Sequence, residues 1–536
     1  MQKKNLFASV LLCTSMFLFT GCDQIVSSLD NPVNSYLQIT EAPKGMLEPG
    51  QTFELKATSI NSDKAIVFES LTPEVATVDA QTGVLTAVDE GKAKIKVSVE
   101  KSDYYNADDS ILIVTVQYPD IKAPLTLEAK EDGKITVSNT LAETDKPIVA
   151  TIIDTQYKKT VKDITENTDI EVKAGERVRF ESTNATLSGK VKITTDNECY
   201  VYGNAMSLVN DSEEGKFAED VELTGKGNLR ELFSGAEKII NHETRNIILP
   251  ATTLAETCYY QMFKGCKALT KAPALPAEIL AKSCYNGMFT ECESLVQAPE
   301  TLPATLLTEN CYYQMFLKCK ALTKAPALPA ETLAKNCYNG MFKECEVLVQ
   351  VPETLPAETL QEGCYSEMFS GCYKLVKVPA VLPAETAVKN CYKDMFNNCR
   401  LLEKAPVIKA TALADNCYQN MFKNCYALTS APALPVTTLK NNCYGNMFQN
   451  CRSLVKAPDL LAETIQQGSY NNMFNGCTKL NYIKCLATNA VARKNNALQN
   501  WVKGVATTGI FVYATGADWT WNADNGTPSG WTLVAE

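Results

Sequence analysis

Cys258-Tyr259-Tyr260-Gln261-Met262-Phe263-Lys264-Gly265-Cys266-Lys267-Ala268-Leu269 is the stretch from which the rest of the chain is read. Its frame, Cys-Tyr-x-x-Met-Phe-x-x-Cys, begins again at Cys284, Cys311, Cys337, Cys364, Cys391, Cys417 and Cys443, and a ninth copy opens with Ser469. The starts lie 26 or 27 residues apart, a period that belongs to stacked repeat architectures. The longer units carry their extra residue between Ala-Pro and Leu-Pro (compare 298–303 with 272–276), which marks an exposed loop. A degenerate unit containing Leu232-Phe233-Ser234-Gly235-Ala236 opens the array, giving about ten units over 226–487.

Within one unit, Pro276 suits a first helical turn and Glu278 complements a helix N-terminus, as do Glu331, Glu358 and Glu385 in the same register. Leu280, Cys284 and Met288 recur every four residues, so a short amphipathic helix is expected. Gly265, Gly371, Gly476, Asn398, Asn424 and Asn450 precede the second cysteine of their units, the left-handed position that ends helices. Leu269-Thr270-Lys271-Ala272 then adds one parallel rung of three or four residues, stopped by Pro273, which has no amide hydrogen. Strands stack at about 4.8 Å and helices at about 8 to 10 Å. A strand-helix repeat must therefore curve, and the expectation is an α/β horseshoe with its strands on the concave side.

The segment before the array reads differently. Lys3 and Lys4 precede an apolar run, Leu6 to Phe19, too short to span a membrane, as a signal peptide over 1–21 requires. Phe19-Thr20-Gly21-Cys22 resembles the bacterial lipobox, with Phe19 where an aliphatic residue is usual. That resemblance implies lipidation of Cys22 and attachment to the outer membrane or cell surface; no second apolar run of about 18 or more residues follows, so lipid is expected to be the only membrane attachment. A polar linker (22–35) leads to alternating runs such as 52–57 and 93–97, with turns at Pro49-Gly50, Thr82-Gly83 and Glu90-Gly91, which predict an all-β sandwich over 36–118. Leu71-Thr72-Pro73-Glu74-Val75-Ala76-Thr77-Val78-Asp79 through Gly83-Val84-Leu85-Thr86-Ala87 to Gly91-Lys92-Ala93 resembles the bacterial Ig-like domain of group 2, which implies a spacer module. Residues 119–225 alternate in the same way and form a second all-β module.

The repeats resemble the BspA-like leucine-rich-repeat surface proteins, whose core appears here as Met262-Phe263-Lys264-Gly265-Cys266-Lys267-Ala268-Leu269. Residues 488–536, with Trp501-Val502-Lys503-Gly504-Val505-Ala506 and Pro528-Ser529-Gly530-Trp531-Thr532, resemble the terminal segment of such proteins and would shield the last rung as a small β cap. The resemblance implies adhesion to host matrix proteins, glycans or other cells. A structural role in the envelope, without a soluble ligand, is the second reading.

Composition narrows the chemistry. The 536 residues carry a net charge of -10, which argues against nucleic acid as a partner, and contain one histidine, His242, which excludes paired-histidine metal sites and histidine triads. No enzyme and no cofactor is expected. Of 21 cysteines, Cys13 and Cys22 fall in or at the end of the leader and 18 lie between 258 and 485. Two cysteines at either end of a helix sit about 12 Å apart, beyond disulfide reach, and a seven-residue gap is not zinc-finger spacing. Bridges between neighbouring units stay open by spacing, but the 19 cysteines after Cys22 are an odd number, so we read buried free thiols. The tyrosines after each first cysteine read as packing, not as a sugar-binding stripe. Residues 251–487 hold 22 basic and 19 acidic side chains, against 26 and 39 in residues 1–250. One strand position holds Lys271, Gln297, Lys324, Gln350, Lys377, Lys404, Ser430 and Lys456, a cationic, amide-rich ridge and the candidate binding face.

Overall fold

The computed structural model describes residues 32–141, 145–187, 189–209, 217, 222–488, 496–517, 519 and 525–536. The leader, Cys22 and most of the linker lie outside the described residues. The chain divides into two compact units, Met1–Gln117 and Tyr118–Glu536.

In the first unit, Ile66–Ser70, Gly91–Val99 and Asp108–Val116 pair antiparallel, as do Thr52–Glu54, Val84–Ala87 and Ala76–Val78, and Tyr36–Glu41 with Lys56–Ile60. Alternation of the strand residues sends Phe68, Leu85, Ile95, Val97 and Val114 into one core. Gly83 closes the turn at φ +70°, where a Cβ would sit 2.7 Å from the Leu55 carbonyl oxygen, so only glycine fits.

In the second unit, Lys159–Ile164, Ile148–Ile153, Arg177–Glu181, Leu125–Ala129 and Cys199–Asn204 form consecutive antiparallel neighbours, and Thr168–Val172, Gly133–Asn139 and Val191–Thr195 form a second, three-stranded sheet. Cys199–Asn204 is the joint of this unit. One edge pairs antiparallel with Leu125–Ala129; the other pairs parallel with Ile239–Asn241 and Ile247–Ile248. The second β module therefore supplies the first rung for the parallel array, and one continuous core runs from Leu125 through the repeats to Trp531.

The repeats contain no helix. Among the described residues there is no α-helix, only a 3-10 turn at Ala205–Leu208, so the α/β expectation is corrected to a nearly all-β chain. The segment from Cys258 to Cys266 is a ribbon of overlapping four-residue turns. Amides of Tyr260, Met262, Lys264 and Cys266 donate three residues back, to Thr257, Tyr259, Gln261 and Phe263. The amides between them, of Tyr259, Gln261, Phe263 and Gly265, donate to Cys284, Asn286, Met288 and Thr290 of the next unit at 2.8 to 3.0 Å. Half of the backbone donors that a helix would keep for itself thus bind the neighbouring unit. The ribbon needs a left-handed residue every fourth position: Thr257, Gln261 and Gly265 here, Asn416, Asn420 and Asn424 six units on. Each non-glycine costs about 1 to 2 kcal/mol, which the inter-unit hydrogen bonds offset at about 0.5 to 1.5 kcal/mol each.

This geometry accounts for the mistaken helix. A ribbon with a four-residue period and a helix with a 3.6-residue period place the same residues inside over nine positions. Glu278, Glu331, Glu358 and Glu385 consequently complement no helix dipole. They are exposed and stand beside a second parallel ladder, Thr253, Ile279, Leu306, Thr332 and Thr359. The spacing mismatch expected to force a horseshoe also loses its premise, because both parts of the unit stack through backbone hydrogen bonds.

Candidate functional site

The core of each unit fixes what its surface presents. Phe263, Phe289 and Phe316 stack face to face at 5.4 and 5.5 Å, and Tyr259, Tyr285 and Tyr312 at 5.6 Å, in columns that run the length of the array. Each such pair adds about 0.5 to 1.5 kcal/mol beyond burial. These tyrosines are buried and present no stripe to a ligand. All 19 described cysteines are free and buried. The second thiol of each unit donates to the phenylalanine carbonyl of the unit before, as Cys292 does to Phe263 at 3.0 Å and Cys345 to Phe316 at 3.1 Å. Burial pushes the Cys292 thiol up to about 12 and Cys199 up to about 11, so neither is a nucleophile near neutral pH.

On this frame the short strands line up. Lys271 bridges Gln297, Gln297 bridges Lys324 and Lys324 bridges Gln350, all in parallel register; Lys404 bridges Ser430 and Lys456 bridges Tyr482. Lys271, Gln297, Lys324, Gln350, Lys377, Lys404 and Lys456 are all exposed. The buried prolines that follow, Pro273, Pro299 and Pro326, hold the next residues off the ladder and open a groove beside it. One stretch of it encloses about 650 Å³ and is lined by Lys324, Gln350 and Lys377 with Val349, Pro326 and Pro352, and by Glu300 and Glu353. A second stretch of about 520 Å³ includes Ser430, Lys456, Pro432, Pro458 and Asp459.

Several lysines elsewhere on the units are held in ion pairs. Lys282 pairs with Glu309 at 2.9 Å, Lys318 with Glu291 at 3.3 Å, Lys320 with Glu293 at 3.0 Å and Lys389 with Glu362 at 3.0 Å. The hydrogen bond from Lys282 raises that lysine and lowers Glu309. Among the described residues no carboxylate lies within ion-pair distance of Lys324, Lys377 or Lys404. Lys271 reaches the Asn246 side chain at 3.4 Å and Lys456 lies 4.8 Å from the Tyr482 ring. The site is thus a row of solvated positive charges along a shallow groove, suited to hold anions.

Sequence reading missed one part of the frame. Ala497-Leu498-Gln499-Asn500-Trp501-Val502-Lys503-Gly504-Val505 is a further turn ribbon: Tyr470, Asn472, Phe474 and Gly476 donate to Ala497, Gln499, Trp501 and Lys503 in the pattern of the repeats. Asn496, Asn500 and Gly504 are left-handed, as in every unit. The signal was present in the apolar spacing, with Trp501 at the methionine position, but no cysteine marked it. Trp501 closes the aromatic columns, 6.2 Å from both Tyr470 and Phe474, and Tyr482–Cys485, Ile510–Tyr513 and Thr532–Ala535 complete the end as a parallel sheet.

Residues 38–107 match the model of the bacterial Ig-like domain (group 2), so this module is an Ig-like domain. Among solved structures, the chain is similar to a leucine-rich repeat protein from Bacteroides ovatus, at 17% identity and a TM-score of 0.33, over 65% of this chain and 96% of that one. No curated protein matches. Among the described residues no helix is long and apolar enough to cross a membrane.

Proposed function

We propose that the chain is an exported surface lipoprotein, anchored through Cys22, whose repeats form a BspA-like leucine-rich-repeat solenoid that binds host matrix proteins, glycans or other cells. The Ig-like domain acts as a spacer in this reading, and no catalytic step is part of it. The observation that carries it is the alignment of the ladder lysines: Lys324, Lys377 and Lys404 are exposed at one repeated strand position and have no carboxylate partner among the described residues. Solvated charge aligned along a groove favours an anionic partner and makes its association salt-dependent.

The test is charge reversal. Lys324→Glu, Lys377→Glu and Lys404→Glu together should abolish salt-sensitive binding to immobilised matrix protein or acidic glycan while leaving the thermal unfolding midpoint in place. Unchanged binding by the folded variant refutes the reading. Cys22→Ala tests the anchor separately: the protein should leave the detergent phase, and continued partitioning there would show another attachment.

A further inference from the structure

The array repeats with a finer rule than its 26- or 27-residue period: chemistry alternates from one unit to the next. Two residues before the first cysteine, successive units carry Glu256, Lys282, Glu309, Lys335, Glu362 and Lys389. There the alternation neutralises itself, for Lys282 meets Glu309, and Glu362 is shared by Lys335 at 3.6 Å and Lys389 at 3.0 Å. The first five rungs of the ladder alternate in the same two-unit rhythm, Lys271, Gln297, Lys324, Gln350, Lys377, before Lys404 breaks it, and glutamine stands where the neutralising glutamate would be. Within these five rungs, carboxylates appear three residues further along the glutamine rungs, as Glu300 and Glu353, lining the same groove.

Parallel rungs lie about 4.8 Å apart, so cations two rungs apart repeat at about 10 Å. Between them stand an amide that can donate and accept and a carboxylate that can only accept. A ligand with a charge at every rung would meet Glu300 and Glu353 and be repelled. A ligand charged at every second rung, with hydroxyls between, meets lysine and hydroxyl acceptors in turn.

Building on the anion-binding reading, we propose that the ladder recognises a linear acidic polysaccharide in which charged and neutral sugars alternate. An extended disaccharide is comparable in length to two rungs. The chain would lie along the groove with its anionic groups at Lys271, Lys324 and Lys377 and its neutral sugars against Gln297 and Gln350.

The experiment compares fluorescent oligosaccharides by anisotropy with the full mature chain: hyaluronan fragments, which alternate acid and neutral sugars, polygalacturonate fragments of equal length, which carry an acid on every sugar, and polyglutamate. Hyaluronan should bind at least about tenfold more tightly than polygalacturonate. Lys324→Gln with Lys377→Gln should remove that binding, and Glu300→Gln with Glu353→Gln should bring polygalacturonate up towards hyaluronan, both without moving the unfolding midpoint. Equal binding of the two polysaccharides, through the same lysines, overturns the alternation and leaves the anion site standing. Lysine-dependent binding of polyglutamate alone overturns the polysaccharide and points to an acidic protein. Failure of all three polyanions to bind overturns both this inference and the reading beneath it.

Discussion

The Ig-like domain and the repeat array both bury an apolar core but hold it in place differently. In the Ig-like domain, strands as long as Gly91–Val99 pair along their length, and a core such as Phe68, Ile95 and Val114 is complete within the module. In the array no unit is complete: half of its ribbon amides, its second thiol and both aromatic columns find partners only in a neighbour. Stability there is a sum over interfaces, so a local change is felt by two units at once. The array has also placed many thiols and phenols in its interior, where the Ig-like domain buries neither.

The sharpest way to break this contrast is alkali. Burial raises the repeat thiols, among them Cys258, Cys292, Cys311, Cys364 and Cys443 to about 12, and raises the buried tyrosines as well. A folded pKa above the unfolded one stabilises below the unfolded value and is lost as pH rises towards the folded value. Above about pH 8.5 each such thiol costs about 1.4 kcal/mol per pH unit. Summed over the 18 thiols of the array this passes the 5 to 15 kcal/mol typical of a domain at about pH 9. Circular dichroism against pH should show the array unfolding while the Ig-like domain, which has no cysteine, stays folded; one common transition would erase the distinction.

Phe342→Ala comes next. It removes a ring stacked on Phe316 at 5.5 Å and on Phe369 at 5.6 Å and should cost about 3 to 5 kcal/mol in urea unfolding of the array, with the Ig-like transition unmoved. Asn424 separates backbone from side chain. At φ 60° it also donates to Asn398 and accepts from Asn450, so Asn424→Ala should cost about 1 to 2 kcal/mol and Asn424→Gly less. Equal losses in the two would mean that the asparagine ladder, not the left-handed turn, holds the position. The smallest effect belongs to the Ig-like domain. Hydrogen bonds from the Thr82 amide and hydroxyl and the Gln81 amide hold the Asp79 carboxyl below its ordinary value, so its contribution is present above the unfolded pKa and fades as pH falls through the lower folded one. Asp79→Ala should lower the domain's melting point slightly at pH 7 and not at pH 2.

Much of this was legible in the chain. Repetition of Cys-Tyr-x-x-Met-Phe-x-x-Cys named the stacking units, the Lys271 to Lys456 series named an exposed face, and Gly265 or Asn424 named left-handed positions. The helix was not legible as false, since a four-residue turn ribbon and a helix bury the same positions over so short a span. Nor was the ribbon at Ala497–Val505, whose apolar residues substitute for the cysteines that marked the other copies.

Sequence alone determined the period, the residues that face inward and the order of charges along the ladder, because these are properties of spacing and side-chain type. Tertiary structure decided where the backbone amides donate, which lysines meet a carboxylate and that Cys199–Asn204 carries an antiparallel sheet into a parallel one. Those outcomes depend on atoms about 26 residues apart along the array and 40 or more apart at the joint, yet one rung apart in space, a distance that no local pattern encodes.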